Sequence, residues 1–163
     1  MPTMTETTQV YKVFIKATPE AIWDAITNPD QTDRYGYRGR VDYDLRAGGS
    51  YRAHASAEML AMGTPDVMVE GEVIEADAPH KLVQTWHALF GEEMIAEPAS
   101  RLTWEIEDAD FGGQKVTLTH ELEGAPLTAT MVDGSVAGQG GGWAFVLSDL
   151  KSLLETGSSI IGS

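Results

Sequence analysis

The chemistry open to this 163-residue chain rests on a small set of side chains: four histidines, a cluster of arginines, four tryptophans and one run of glycines. His54, His80, His87 and His120 show no spacing at which they would jointly hold a metal, and a zinc site needs three or four ligands. With no cysteine there is no thiolate ligand, no disulfide and no cysteine nucleophile. A serine nucleophile elbow is also missing. The run Gly138-Gln-Gly-Gly-Gly142 lacks the Lys-Ser/Thr ending of a phosphate loop and does not fit G-x-G-x-x-G, so it reads as a flexible lead into a helix. The expectation is therefore no catalytic residue, no metal and no cofactor.

Binding is what remains. Arg34, Arg38, Arg40, Arg46 and Arg52 are five of the 11 basic residues, and only Asp42 and Asp44 oppose them within that stretch. Such a patch either draws a carboxylate-bearing ligand or an acidic partner, or pairs Arg40, Arg46 and Arg52 with the two aspartates on a solvent face. Arg38, beside Tyr35 and Tyr37, is kept as a candidate ligand contact. Met59, Met62, Met68 and Met131 are either adaptable pocket lining or gap-filling core.

The totals bound the rest. Apolar residues are 42 % of the chain and charged residues 22 %, the balance of a folded domain with a core of its own. Length suits one domain over 1–163, with a core at 9–157 and a loose tail at 158–163. The net charge of −14 repels nucleic acid and anionic lipid, so neither is an expected partner. No apolar run approaches the roughly 20 residues that cross a bilayer, and the first residues do not resemble a signal peptide. A cytoplasmic protein is expected.

The elements that must position these side chains follow from periodicity. Residues 9–16 read as a strand with Tyr11, Val13 and Ile15 inward. Thr18-Pro19-Glu20 starts a helix whose buried side is Ala21, Ile22, Ala25 and Ile26, and Asn28-Pro29 leads into a second short helix over 30–35. Strands fit 40–46 and 51–57 around the Gly48-Gly49 turn, the second with a small inward face of Tyr51, Ala53, Ala55 and Ala57. The Met-rich segment 59–66 reads as a loop, and strands follow at 67–76, 80–89, 101–108 and 115–123. Residues 124–135 stay ambiguous. Near the end, Trp143, Val146, Leu147, Leu150, Leu153 and Leu154 recur at spacings of three and four, one side of a helix that Gly157 stops. Ser148, Asp149, Lys151, Ser152 and Glu155 take its polar side. Begun near Gly134, this helix would run for about 35 Å. The result is an α+β arrangement, seven antiparallel strands with helices on one face. A sheet curled around one helix commonly leaves space between the layers, and the alanine face enlarges it.

Ala17-Thr-Pro-Glu-Ala-Ile-Trp-Asp-Ala-Ile26, Gly48-Gly-Ser-Tyr51, Gly71-Glu-Val-Ile-Glu75, Leu82-Val-Gln-Thr-Trp86, Val116-Thr-Leu-Thr-His120 and Gly142-Trp143 with its leucine-rich helix occur in this order. Together they resemble the START-like (SRPBCC) superfamily, and within it the activator-of-Hsp-90-ATPase-homologue branch. The resemblance covers about residues 9–157. It implies a helix-grip fold, a curved seven-stranded antiparallel sheet around a long C-terminal helix, with two short helices after the first strand and an apolar cavity inside. It also implies that Trp86, Trp104 and His120 form a row across three adjacent strands facing Trp143 and Leu147. Tyr35, Tyr37, Arg38, Tyr51, Ala53, Ala55, Trp86, Trp104, His120, Met131, Trp143 and Leu147 are then the candidate ligand-binding residues. The sequence departs from the branch at 134–142, where five glycines leave the start of the helix unfixed, each costing up to about 1 kcal/mol relative to alanine. The leading expectation is a binding protein for a small hydrophobic or aromatic molecule. The alternatives are a chaperone ATPase cofactor, with the chaperone as partner, and a polyketide cyclase-like enzyme in which His120 or Arg38 assists proton movement. Monomer and homodimer both stay open.

Overall fold

Alternating side chains open the chain as β1 (Thr8–Ile15), with Tyr11, Val13 and Ile15 turned to the core as their spacing predicts. The computed structural model describes residues 7–135 and 141–161. Thr18 caps α1 (Pro19–Thr27) by accepting from the Ala21 amide, and Asn28 caps α2 (Pro29–Thr32) in the same way through the Asp30 amide. Then come β2 (Val41–Tyr43), β3 (Ser50–His54), α3 (Ala57–Ala61), β4 (Val67–Asp77) and β5 (Lys81–Ala88). The chain continues through α4 (Glu92–Ile95), β6 (Ser100–Asp108), β7 (Gln114–Glu121), α5 (Pro126–Val132) and α6 (Gly142–Thr156). All seven strands form one antiparallel sheet in the order β1-β7-β6-β5-β4-β3-β2. The α+β helix-grip architecture expected from the sequence is present. No described helix is long and apolar enough to cross a membrane.

The core lies between the inner face of this sheet and α6. Leu147, Leu150 and Leu153 are buried, with Trp143, Val146 and Leu154 partly so. They meet Ile15, Leu82, Leu102, Leu118 and Val116 in one cluster that α1 closes with Ile22, Ala25 and Ile26. Each large side chain taken fully from water contributes about 1.5–3 kcal/mol, so this cluster supplies most of the cohesion.

Several expectations need correction. Helix α6 starts at Gly142, not near Gly134, and its 15 residues span about 22 Å. Gly142 has φ +65°, and a Cβ there would meet the Val132 carbonyl oxygen at 2.2 Å, so the chain turns sharply where a longer helix was expected. The Gly138–Gly140 part of the proposed lead-in lies outside the described residues. The third strand ends at His54 after a register shift, and Ser56 caps α3 in the Met-rich segment that reads as a loop. Two more helices are present, α4 between the strands read at 80–89 and 101–108 and α5 within the ambiguous 124–135.

Asp149 is the largest departure. Placed on the polar side of the helix by its spacing, it is fully buried. Its carboxylate accepts from the Gly36 amide at 2.8 Å, the Ser159 hydroxyl at 2.8 Å and the Ile160 amide at 2.6 Å. The segment 158–161, expected to be loose, is therefore held against the helix. Burying a carboxylate is tolerated because these donors replace its water.

Replacing Asp149 with alanine strands the Gly36 and Ile160 amides. Urea unfolding of Asp149→Ala is expected to show a loss of about 3 kcal/mol, and Asp149→Asn about half of that. Amide exchange should accelerate at Gly36 and Ile160. An unchanged midpoint would mean the buried carboxylate does not hold these segments together.

Candidate functional site

Antiparallel connectivity sends the β3–β4, β5–β6 and β7–α6 connections to one end of the sheet. Each of them contains a short helix, α3, α4 and α5 respectively. Exposed apolar side chains gather in these connections: Leu60 and Met62 beside α3, Phe90 and Ile95 beside α4, and Leu127 on α5. Between α4 and α5 lies a cleft of about 530 Å³ lined by Phe90, Gly91, Glu92, Glu93, Met94, Leu127, Thr130 and Met131. Its volume falls within the several hundred Å³ of small-molecule sites.

One side chain joins the two walls. Helix α5 begins at Pro126, and Ala125 before it supplies no side-chain cap. Glu97, just past α4, fills that role across 30 residues, accepting from the Leu127 amide at 2.7 Å, the Thr128 amide at 3.0 Å and the Thr128 hydroxyl at 2.7 Å. A carboxylate at a helix N-terminus also meets the positive end of the peptide dipoles. Nothing in the local sequence pairs position 97 with 127, so periodicity does not reveal the link.

Deeper in, the predicted aromatic group is brought together, but not as a straight row. His120 stands opposite Leu102, Trp104 opposite Leu118, and Trp86 opposite Ser100, so Trp104 and Trp86 are displaced to opposite sides of the His120 level and the rings are staggered. Trp143 joins them from α6. Its ring centroid lies 5.8 Å from Trp86, 6.0 Å from Trp104 and 6.0 Å from His120, and Trp86 meets His120 edge-on at 5.1 Å. Trp143 Nε1–H donates to His120 Nδ1 at 3.0 Å. An indole nitrogen only donates, so Nδ1 must be the acceptor and the imidazole proton sits on Nε2. That proton points to Ser100 Oγ at 2.7 Å, and the Ser100 hydroxyl donates in turn to the Trp86 carbonyl at 2.6 Å. Both nitrogens of His120 are thus engaged. Burial holds its pKa down to about 3, so the ring is neutral. Ser100 was not among the expected site residues.

The other expected residues are dispersed. Tyr35 is buried and donates to the Ala25 carbonyl at 2.9 Å. Tyr37 accepts from the Gly142 amide at 3.0 Å and packs its ring near Phe145, so it holds the start of α6. Arg38 takes φ +61° in the same loop. Tyr51 lies against Tyr43, whose hydroxyl donates to the fully buried Gln84, a polar core residue unmarked by its sequence context. Burial raises the pKa of all three tyrosines, Tyr35, Tyr43 and Tyr51. Ala53 and Leu147 are core, Ala55 is half-buried beyond the end of β3, and Met131 lines the α4–α5 cleft. Two of the five arginines are paired with aspartates: Arg40 with Asp30 and Asp33 rather than Asp42 or Asp44, and Arg46 with Asp44. Asp42 is bonded to His54 instead.

A curved sheet gripping a C-terminal helix, with a crown of short helices at one end, defines the helix-grip class. The family model described as "Activator of Hsp90 ATPase homolog 1-like protein" matches residues 16–155, and the chain belongs to that family. Among solved structures it is similar to protein MLL2253 from Mesorhizobium loti, with 17% identity and a TM-score of 0.68 over 91% of this chain and 96% of that one. It is also similar to CalU16 from Micromonospora echinospora, with 17% identity and a TM-score of 0.65 over 94% and 78%. The Aha1 dimer from Colwellia psychrerythraea follows with 16% identity and a TM-score of 0.61 over 92% and 97%. These similarities support the fold. No curated protein matches the chain.

Two predictions follow from the geometry of His120 and Glu97. Below about pH 6.5 the unfolded chain takes a proton on His120 that the folded chain refuses down to about pH 3, so acid favours unfolding through this group. Between pH 6 and 5 wild-type stability should fall by about 1.4 kcal/mol per unit more steeply than that of His120→Gln, read from urea midpoints at each pH. Parallel profiles would refute the neutral assignment. Glu97→Ala should lose about 1–2 kcal/mol and speed amide exchange at Leu127 and Thr128; unaltered exchange there would remove Glu97 as the link between the cleft walls.

Proposed function

We propose that this protein binds a small hydrophobic molecule in the α4–α5 cleft. The observation that carries the reading is the cleft itself: about 530 Å³ in volume, with Phe90, Met94, Leu127 and Met131 in its lining and its two walls clipped by Glu97. Methionine side chains adapt their shape to what they touch, which suits a site for an apolar body. A ligand in the sheet–helix interior would have to part Trp143 from His120 and Trp86, breaking a hydrogen bond worth about 1 kcal/mol together with the ring contacts. The cleft asks no such rearrangement, so it is the favoured seat. An enzymatic role for His120 draws no support from two ring nitrogens that are both already bonded.

A second reading, contact with a protein partner such as a chaperone ATPase, is favoured by the family's description and by the apolar side chains exposed beside α3 and α4. In that case the same crown is an interaction surface rather than a pocket mouth. A second copy of the chain is the alternative occupant, in line with the dimer found for the Colwellia relative.

Titration with a neutral, environment-sensitive apolar fluorophore separates these readings. Leu127 is 40% exposed, so Leu127→Trp fills the cleft without crowding the core and should weaken binding at least about tenfold. Ala55→Trp, which adds bulk beyond the end of β3 and outside the cleft lining, should leave it within about twofold. Loss of binding in Ala55→Trp alone would move the ligand away from the α4–α5 cleft. No binding by wild type would remove the small-molecule reading.

A further inference from the structure

We infer that the ligand of the α4–α5 cleft is cationic, an apolar body carrying an amine or quaternary ammonium head; this rests on the binding reading above. The polar part of the lining decides the sign. Glu92 and Glu93 line the cleft, and no basic residue does. Neither carboxylate makes a hydrogen bond or ion pair with any described residue, whereas the neighbouring Glu97 spends both oxygens on α5. Two solvated carboxylates are thus left facing an apolar hollow with no cation beside them. The arginines whose clustering suggested a carboxylate ligand do not line the cleft, and Arg40 and Arg46 are already paired with aspartates.

The apolar lining suits the same guest. A phenyl face attracts an ammonium through its negative quadrupole, and Phe90 is 38% exposed. Methionine side chains are flexible and polarisable, so they adapt to the apolar body of such a guest. A fatty carboxylate, by contrast, would bring its charge toward Glu92 and Glu93 in a chain of net charge −14. Exposed charge pairs are individually weak, so each carboxylate is expected to favour a unit cation by only about threefold to fivefold. The pair then gives about tenfold preference over a neutral guest at low salt, and more over an anion.

Three probes of one chain length test this: decyltrimethylammonium, decanol and decanoate, each below its micelle concentration. Calorimetry gives affinity, and methyl-labelled methionine spectra report whether Met94 and Met131 shift. The cation should bind about tenfold more tightly than decanol at about 20 mM salt, move both methyl signals, and lose most of that advantage at about 300 mM salt. In a Glu92→Gln/Glu93→Gln double variant the three affinities should converge, since both positions are exposed and the fold does not depend on them. Decanol binding with both methionine shifts, but no preference for the cation, overturns the charge inference and leaves the binding reading standing. A preference that survives the double variant also overturns it. No binding by any probe overturns both.

Discussion

Much of this fold depends on a single directional chain of hydrogen bonds running from α6 into the sheet: Trp143 to His120, His120 to Ser100, Ser100 to the Trp86 carbonyl. It crosses three adjacent strands, β7, β6 and β5. Its direction is fixed by its ends, because an indole nitrogen cannot accept and a carbonyl cannot donate. Every member is consequently held in one tautomer and one rotor position. Among the described residues no buried side-chain nitrogen or oxygen lacks a partner. A fully satisfied buried network adds orientation to a core whose apolar contacts have none, which is what a helix laid over a broad sheet otherwise lacks. The chain acts where it is needed: Gly141 gives α6 no side-chain cap, so the start of the helix is fixed by the bond of its own Trp143 to His120 and by the Tyr37 hydroxyl, which accepts from the Gly142 amide.

The far half of α6 is fastened by another polar centre. Asp149 gathers the loop after α2, the helix and the segment beyond Gly157 around one carboxylate. Lys151 donates to the Phe14 carbonyl, and Glu155 accepts from the Lys16 amide, so the exposed side of the helix is laced to the end of β1. Hydrophobic burial brings α6 to the sheet, and these bonds choose its rotation and its position along the axis. Leucines at 147, 150 and 153 would tolerate a small slide with modest loss; three donors on one buried carboxylate would not.

What the sequence disclosed divides along the same line. Strand alternation, the Thr18 cap and the leucine spacing are local patterns, and they placed all seven strands, α1 and the body of α6. Asp149 was misjudged because helical spacing marks it as polar without saying that Gly36, 113 residues away, would come to it. Glu97 and Ser100 escaped notice for the same reason: their partners lie 31 and 20 residues distant, and no periodicity records such a pairing. The aromatic group was legible as inward-facing but its stagger along the strands was not, since register depends on how strands meet. In the arginine stretch the pairing of Arg46 with Asp44 is a local one that the spacing allowed, whereas Arg40 turns back to Asp30 and Asp33, outside the stretch.

The distribution of rigidity bears on where a ligand can enter. Around Trp143 and Asp149 every polar group is matched and the side chains interlock, so opening the interior disrupts several bonds together. The crown is built otherwise. Helices α3, α4 and α5 are 5, 4 and 7 residues long, and neither α4 nor α5 has a side-chain cap at its own N-cap position. Helices this short have little stability of their own and persist through tertiary contacts. Glu97 supplies such a contact between the two walls of the cleft. Adjustable elements of this kind, set at one end of a stiff sheet, are where binding regions tend to arise, because small movements there cost little global stability. A fold that fixes its helix through buried polar chains and leaves its crown lightly held therefore favours recognition at the crown over penetration of the core.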